Sequence, residues 1–384
     1  MSERNEKILV ELMKFSGNNV CADCDSKNPA YASYNLGIFI CERCSGVHRS
    51  MGVHISKVKH LKLDKWEDSQ VERMKEVGNK RAKMKYEERV PPCYRIPKED
   101  DPHILIEQWI RAKYQREEFC YPERQSYTSG YFSGFLMKRG KEDSRYRSRK
   151  FILSEQDDTL KYYITEYKDP KAILRISELN VVLSPEKMSP YINSLQITFL
   201  KDGTTRHIYV YHDEAEVITN WYMAIRCAKL HRLQVAYPSD SQTELSKYLT
   251  EDFAKEGWLW KTGPRTSDGF KKRWFALDNR KLMYHDDPMD ANPKGEIFIG
   301  HMADGYGIKM GVSTGVKDQG FSFMLTTPDR VYNLSAQSEI DRDLWIEVLE
   351  RVIEKPLTAQ DIAVSARLVR KRTSSNSISI FSPR

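Results

Sequence analysis

The sequence predicts a multidomain α+β chain in which a cysteine-bearing helical block precedes two copies of one strand-rich unit. Three observations predict it. Four cysteines stand in two C-x-x-C pairs sixteen residues apart, within CADCDSKNPAYASYNLGIFICERC at 21–44. From Gly130 the texture changes to short runs of Tyr, Phe, Ile and Val with turn residues between them. That strand-rich part also repeats: GFLMKRG at 134–140 matches GWLWKTG at 257–263, RSRKFIL at 147–153 matches KKRWFAL at 271–277, and LKYY at 160–163 matches LMYH at 282–285. Each copy closes on a helical segment with one tryptophan, Trp221 or Trp345. An offset of about 123 residues marks a duplicated domain, since solenoid units are far shorter.

The 384 residues suit two or three domains, and no apolar run approaches the ~18 residues of a membrane span. The start, MSERNEKILVELMKF, places Ile8, Leu9, Leu12 and Met13 at helical spacing and lacks the unbroken apolar core of a signal peptide. Of seven cysteines, Cys93, Cys120 and Cys227 lie outside the cluster and are scattered singly. That usage suits a reducing compartment and a metal site better than a disulfide framework, so a cytosolic or nuclear chain is expected. The net charge of +7 is too modest to name a partner class.

Taken in order, the first block covers 1–125. Asp64-Lys-Trp66-Glu67 has the form of a capping box and predicts a helix start there, with Met74 and Val77 on its apolar face and Gly78-Asn79 as its stop. A second helix runs toward Val90 and is ended by Pro91-Pro92; a third carries Leu105, Trp109 and Ala112 on one face. Residues 121–129 have linker composition. The two repeats are expected at 130–236 and 253–356, joined by a connector at 238–251. From 357 to 384 a basic, Ser-rich tail ending RKRTSSNSISIFSPR is expected to lose order.

Cys21, Cys24, Cys41 and Cys44 offer four thiolates at a spacing that matches one tetrahedral zinc. With every position taken by sulfur the metal has no open site for water, so its task is structural. A redox role would need one C-x-x-C beside a βαβ pattern, and two pairs in a helical context do not fit it. His48 and His54 are not needed as ligands and are read as surface or packing histidines. DNA-binding fingers use a similar knuckle followed by a basic helix; here SGVHRSMGVHISKVKHLKLDKW is only mildly basic and alternates at Leu61 and Leu63 like a buried strand. A DNA finger and a knuckle that aims Arg49 both stand on the cysteines alone.

The pattern C-x2-C-x16-C-x2-C-x4-R, with SGVHR, MGVHIS, LKLDKW, Gly78-Asn79 and WIRAKY following in order, resembles the zinc domain of the Arf GTPase-activating proteins over about the first 120 residues. The resemblance implies that Arg49 is an arginine finger presented by a zinc-held helix to the GTP of a partner Arf GTPase. Trp66 and Ile38 are expected in the core. One departure is Tyr31, where the family carries tryptophan in its N-P-x-W-x-S stretch; altered packing or a softened contact is expected.

Each repeat puts a lysine in its first strand, Lys138 or Lys261, and two cations at alternating positions in the next, Arg147 and Arg149 or Lys271 and Arg273. Alternation places such a pair on one face of a strand. Residues 134–151 hold seven Lys/Arg against two Asp/Glu, and 261–281 hold the same numbers, which predicts an anion pocket in each copy rather than a solvated hairpin. The strands with one Trp-bearing terminal helix resemble pleckstrin-homology (PH) domains, β-barrels capped by a C-terminal helix. The cations resemble their phosphoinositide signature, with Tyr162 and Tyr284 matching a third-strand tyrosine that touches the head group. No stacking platform for nucleic acid is evident. The order of domains resembles the dual-PH branch of the Arf GTPase-activating proteins, the alpha-centaurins. That resemblance implies an activator, not itself the hydrolase, recruited from the cytoplasm to the plasma membrane by phosphatidylinositol 3,4,5-trisphosphate. The competing class is a lipid- or inositol-phosphate-binding scaffold whose first domain is inert.

Overall fold

The structure, a computed structural model, describes residues 2–184, 189–265, 267–358, 361–362 and 365–366. Most of the basic tail beyond 357, including all of RKRTSSNSISIFSPR, lies outside these residues.

The first block is built from α1 (Ser2–Lys14), β1 (Tyr31–Ser33), β2 (Ile38–Ile40), α2 (Glu42–Ser50), β3 (Val58–His60), α3 (Asp68–Glu76), α4 (Gly78–Tyr86) and α5 (His103–Tyr114). The three short strands form a sheet in the order β2-β1-β3, and Ile38 and Trp66 are buried as expected. Two details differ from the sequence reading. The cap of α3 is Glu67, boxed with Gln70, while the Asp64 carboxylate accepts from the His60 amide and shapes the preceding turn instead. Gly78, at φ 67°, both ends α3 and opens α4, because the αL conformation it adopts at little cost breaks one helix axis and starts another.

The first repeat contains β4 (Tyr131–Arg139), β5 (Tyr146–Ser154), β6 (Thr159–Tyr163), β7 (Ala172–Arg175), β8 (Asn180–Leu183), β9 (Ser194–Lys201), β10 (Thr204–Tyr211) and α6 (Ala215–Ala236). After α7 (Gln242–Leu245), the second contains β11 (Lys255–Lys261), β12 (Lys271–Asp278), β13 (Lys281–His285), β14 (Gly295–Phe298), β15 (Gly307–Met310), β16 (Ser322–Thr326), β17 (Val331–Ser335) and α8 (Glu339–Glu354). Both are seven-stranded antiparallel sheets of one order, β7-β6-β5-β4-β10-β9-β8 and β14-β13-β12-β11-β17-β16-β15. In each, the helix lays its tryptophan over a first-strand glycine. A Cβ at Gly134 would stand 3.7 Å from Trp221, and one at Gly257 3.7 Å from Trp345, an ordinary packing distance in both copies.

How the pieces join was not legible in the sequence. The stretch 121–129 is no loose linker: two 3-10 turns there bury Tyr127. The connector likewise buries Leu245 and Leu249. One apolar cluster runs from Cys21 through Trp109 and Phe119 to Trp221 and Leu249, so the first block and first repeat share a core, whereas the second repeat has its own around Phe275 and Trp345. Cys93 and Cys227, read as single cysteines, are paired as a disulfide between the first block and α6. Past Pro356, among the described residues, Asp361 pairs with the buried Arg280. Among the described residues no helix is long and apolar enough to cross a membrane.

Candidate functional site

The four predicted metal cysteines converge. Their sulfurs all lie within 4.8 Å of one another, with Cys24 3.7 Å from Cys41 and 3.6 Å from Cys44. A tetrahedron with metal–sulfur bonds of about 2.3 Å has edges of about 3.8 Å, so the donor set fits one zinc ion. The backbone prepares the knuckle: Asp25 and Asn28 take positive φ, and the Ser26 carbonyl accepts from the Cys21 amide. Cys41 caps α2, its sulfur accepting from the Cys44 amide. These cysteines would hold zinc at the first turn of the helix whose last turn carries Arg49, where the ion's role would be structural.

A second device pins the same helix. His48 is fully buried, one ring nitrogen 2.9 Å from the Ser56 hydroxyl and the other 3.0 Å from Asp23. Asp23 also pairs with the buried Lys113 at 2.8 Å and accepts from the Tyr114 hydroxyl. Burial alone would raise the Asp23 carboxyl, but Lys113 and His48 more than offset it and hold it below its ordinary value. A buried charge survives only when paired in this way, so the network ties α2 to α5 and the first cysteine pair. Sequence reading missed Asp23 and Lys113, since neither type signals burial.

Arg49 is exposed, and among the described residues no carboxylate pairs with it. Its guanidinium carbon lies 5.1 Å from the centre of the Tyr31 ring, and one nitrogen donates to the Ser45 hydroxyl at 3.3 Å. Tyr31 is itself braced edge-on by His60. The residue that departs from the family pattern therefore still offers an aromatic face to the arginine, through a smaller ring than indole.

In each repeat the predicted cations continue the core-facing parity of their strands beyond the apolar core. Leu136 is followed by Lys138, and Phe151 is preceded by Arg149 and Arg147; in the second copy Leu259 leads to Lys261, and Phe275 to Arg273 and Lys271. Cross-strand register confirms the match, with Lys138 opposite Arg147 and Lys261 opposite Lys271. The lysine nitrogen sits 5.1 Å from the Tyr162 ring centre in one copy and 5.0 Å from that of Tyr284 in the other. Both lysines are pulled down to about 8, chiefly by burial and then by neighbouring arginines: Arg149 and Arg206 beside Lys138, Arg330 and Arg273 beside Lys261. An anion nearby would favour the charged form of such lysines.

Arg206 and Arg330 were missed. Register extends the repeat to them, because Lys138 pairs with Val210 and Lys261 with Leu334, each four residues past its arginine. Arg147 is drawn out of the group by Asp143, which it holds down at about 2. A cavity of about 600 Å³ beside the first group is lined by Lys138, Tyr162, Lys171 and Arg206, with Met289 and Ala291 of the second repeat along one side, while Arg147 and Arg149 are not among its lining residues. The second repeat is anchored there: the Met289 carbonyl accepts from Arg139, and His207 and His285 meet at 3.3 Å.

Known proteins agree with this architecture. The ArfGap family, described as "Putative GTPase activating protein for Arf", matches residues 6–123, and the PH domain family matches 130–229 and 253–354. The Arf-GAP with dual PH domain-containing protein 2 of Rattus norvegicus is 43% identical over 363 residues, covering 93% of this chain and 96% of that one. Its Homo sapiens counterpart is 43% identical over 93% of this chain and 95% of its own length. Stromal membrane-associated protein 1 of Mus musculus shares 41% identity over 119 residues, 31% of this chain and 26% of that protein. With a zinc knuckle carrying an exposed arginine ahead of two matched PH sheets, the chain belongs to the Arf-GAP with dual PH domain family.

Proposed function

We propose that the chain activates an Arf-family GTPase by inserting Arg49 beside the GTP of its partner. Phosphoinositide head groups, phosphatidylinositol 3,4,5-trisphosphate foremost, bring it from the cytoplasm to the plasma membrane. The observation that carries this reading is Arg49 itself: exposed, free of carboxylates among the described residues, and projecting from a helix held by the metal knuckle at one end and by His48 within. In hydrolysis a water attacks the γ-phosphorus while the bond to the β–γ bridging oxygen breaks, and negative charge grows on that leaving oxygen. A planar, permanently charged guanidinium can donate to two oxygens at once, which an ammonium cannot reproduce. Fingers of this kind supply on the order of 10³–10⁵ in rate, about 4–7 kcal/mol. GTP and magnesium belong to the partner; this chain contributes the arginine and its orientation. At the PH domains Lys138, Arg149 and Tyr162, and Lys261, Arg273 and Tyr284, meet the inositol phosphates by charge-assisted bonds.

Single-turnover GTP hydrolysis by Arf on liposomes tests the reading. The chain should accelerate it, and Arg49→Lys should lose most of the acceleration while keeping zinc and liposome binding. Acceleration unchanged by Arg49→Lys would remove the finger; no acceleration by the intact chain would favour a lipid-binding scaffold.

A further inference from the structure

Among the differences between the two cation groups, one falls one step beyond the third-strand tyrosine along the core-facing parity. In the first PH domain that position is Ile164, which is exposed; in the second it is Asp286. Both lie just past their strand ends, where Lys150 pairs with Tyr163 and Trp274 with His285; continuing the register one step would set Ile164 against Arg149 and Asp286 against Arg273. Asp286 uses that placement. One carboxylate oxygen lies 3.0 Å from Arg273, and the other pairs with Lys294.

Lys294 has its own counterpart. Its amide donates to the Tyr284 carbonyl, as the amide of Lys171 donates to the Tyr162 carbonyl. Each domain thus has an arginine and a lysine at matched positions, and among the described residues only in the second does one carboxylate pair with both. In the first domain the loop acid Glu166 pairs with Lys150, whose side chain leaves the other face of the strand. Asp286 is also firmly presented. Asp290 accepts from the amides of both Asp286 and Asp287, and the carbonyls of Pro288 and Met289 accept from Tyr209 and Arg139 of the first domain.

We propose that Asp286 is an internal anion that competes with the head group for Arg273 and Lys294, so that the second pocket selects only densely phosphorylated inositides. This rests on the reading of that pocket as a phosphoinositide site. A ligand must supply enough phosphate charge near Arg273 to displace or outweigh the carboxylate, because like charges crowded on one guanidinium repel. A singly or doubly phosphorylated ring gains less there than in the first domain.

The test uses the full chain carrying Arg149→Ala, which leaves the second pocket to be read. Binding of soluble inositol 1,3,4,5-tetrakisphosphate is measured by calorimetry, and binding to vesicles containing phosphatidylinositol 3,4,5-trisphosphate or 4,5-bisphosphate by sedimentation. Asp286→Asn and Asp286→Ile should each raise affinity for the soluble compound roughly tenfold and bring the bisphosphate vesicles within reach. In a chain carrying Arg273→Ala instead, Ile164→Asp should weaken the first pocket by a similar factor. Asp287→Asn removes the same charge one residue away and should change little, since its carboxylate accepts from the Met289 amide. Unchanged or weaker binding of the soluble compound by both Asp286 variants overturns the proposal, as does an equal gain from Asp287→Asn. A gain on vesicles alone would assign Asp286 to general repulsion by the membrane surface and overturn it too. If adding Arg273→Ala to the Arg149→Ala chain leaves the soluble compound bound as before, the pocket reading itself falls and takes the proposal with it.

Discussion

The two PH domains repeat one sheet order and one basic pocket, yet they are built into the molecule differently. The first shares a continuous apolar core with the zinc block; the second has a core of its own and meets the first through polar contacts at Lys281, His285 and the loop 286–292. Their pockets differ in the same sense, for Arg149 has no carboxylate partner among the described residues while Arg273 is paired with Asp286. Duplication therefore preserved what strand parity dictates and released what loops and neighbours supply. The domain that shares its core with Arg49's scaffold is the one whose Arg149 has no carboxylate partner among the described residues.

The sharpest way to break this comparison is to remove the metal. Structural zinc contributes on the order of 10–16 kcal/mol in small metal-held folds, comparable to or above a domain's net stability. Cys24→Ser should melt the first block and, through the shared core, lower the hydrogen-exchange protection of α6, while α8 stays protected. Undiminished protection of α6 would mean the shared core transmits nothing. Next in size are the matched tryptophans, each worth about 3–5 kcal/mol on truncation to alanine. Trp345→Ala should unfold the second domain alone; Trp221→Ala should also destabilise the zinc block. Two equally local melting transitions would erase the distinction.

Ligand binding sharpens the comparison at a smaller scale. Arg149→Cys should cost the first pocket on the order of 2–5 kcal/mol, and Arg273→Cys should cost the second less, because Asp286 already neutralises much of that charge. The chain with both changes should stay in solution when liposomes carrying phosphatidylinositol 3,4,5-trisphosphate are sedimented; pelleting like the unmodified chain would place lipid recognition elsewhere.

The smallest effect is one of pH, and it should be common to both pockets. Lys138 and Lys261 sit near 8 in the free protein, so above pH 8 the empty pockets lose protons that a bound anion would restore. Head-group affinity should fall as pH rises from 7 to 9, by up to about tenfold per pocket. Stability of the empty protein carries the opposite sign. Because the unfolded lysines keep their protons up to about 10.4, stability should rise between pH 8 and that value. Calorimetry at three pH values checks the first part, and affinity that is flat or rising with pH would mean the lysines do not meet the anion.

By itself the sequence determined the elements whose logic is local or periodic. Two C-x-x-C pairs specify four sulfurs around one metal because a tetrahedral ion needs little else from the chain. Strand alternation puts Lys138, Arg147 and Arg149 on the face of Leu136 and Phe151, and the same rule applied to the second copy yields Lys261, Lys271 and Arg273. Only the tertiary structure decided what depends on which distant groups come together. Asp23, His48 and Lys113 become a buried network because α5 crosses α2, and no single one of them could be told from a solvated residue. Arg206 and Arg330 join the pockets through pairing of first and last strands more than sixty residues apart in sequence. The linker at 121–129 becomes part of a core because Tyr127 finds Tyr94 against it. Charge and burial are properties of neighbourhoods, and a neighbourhood made by chain crossings cannot be read from spacing along the chain.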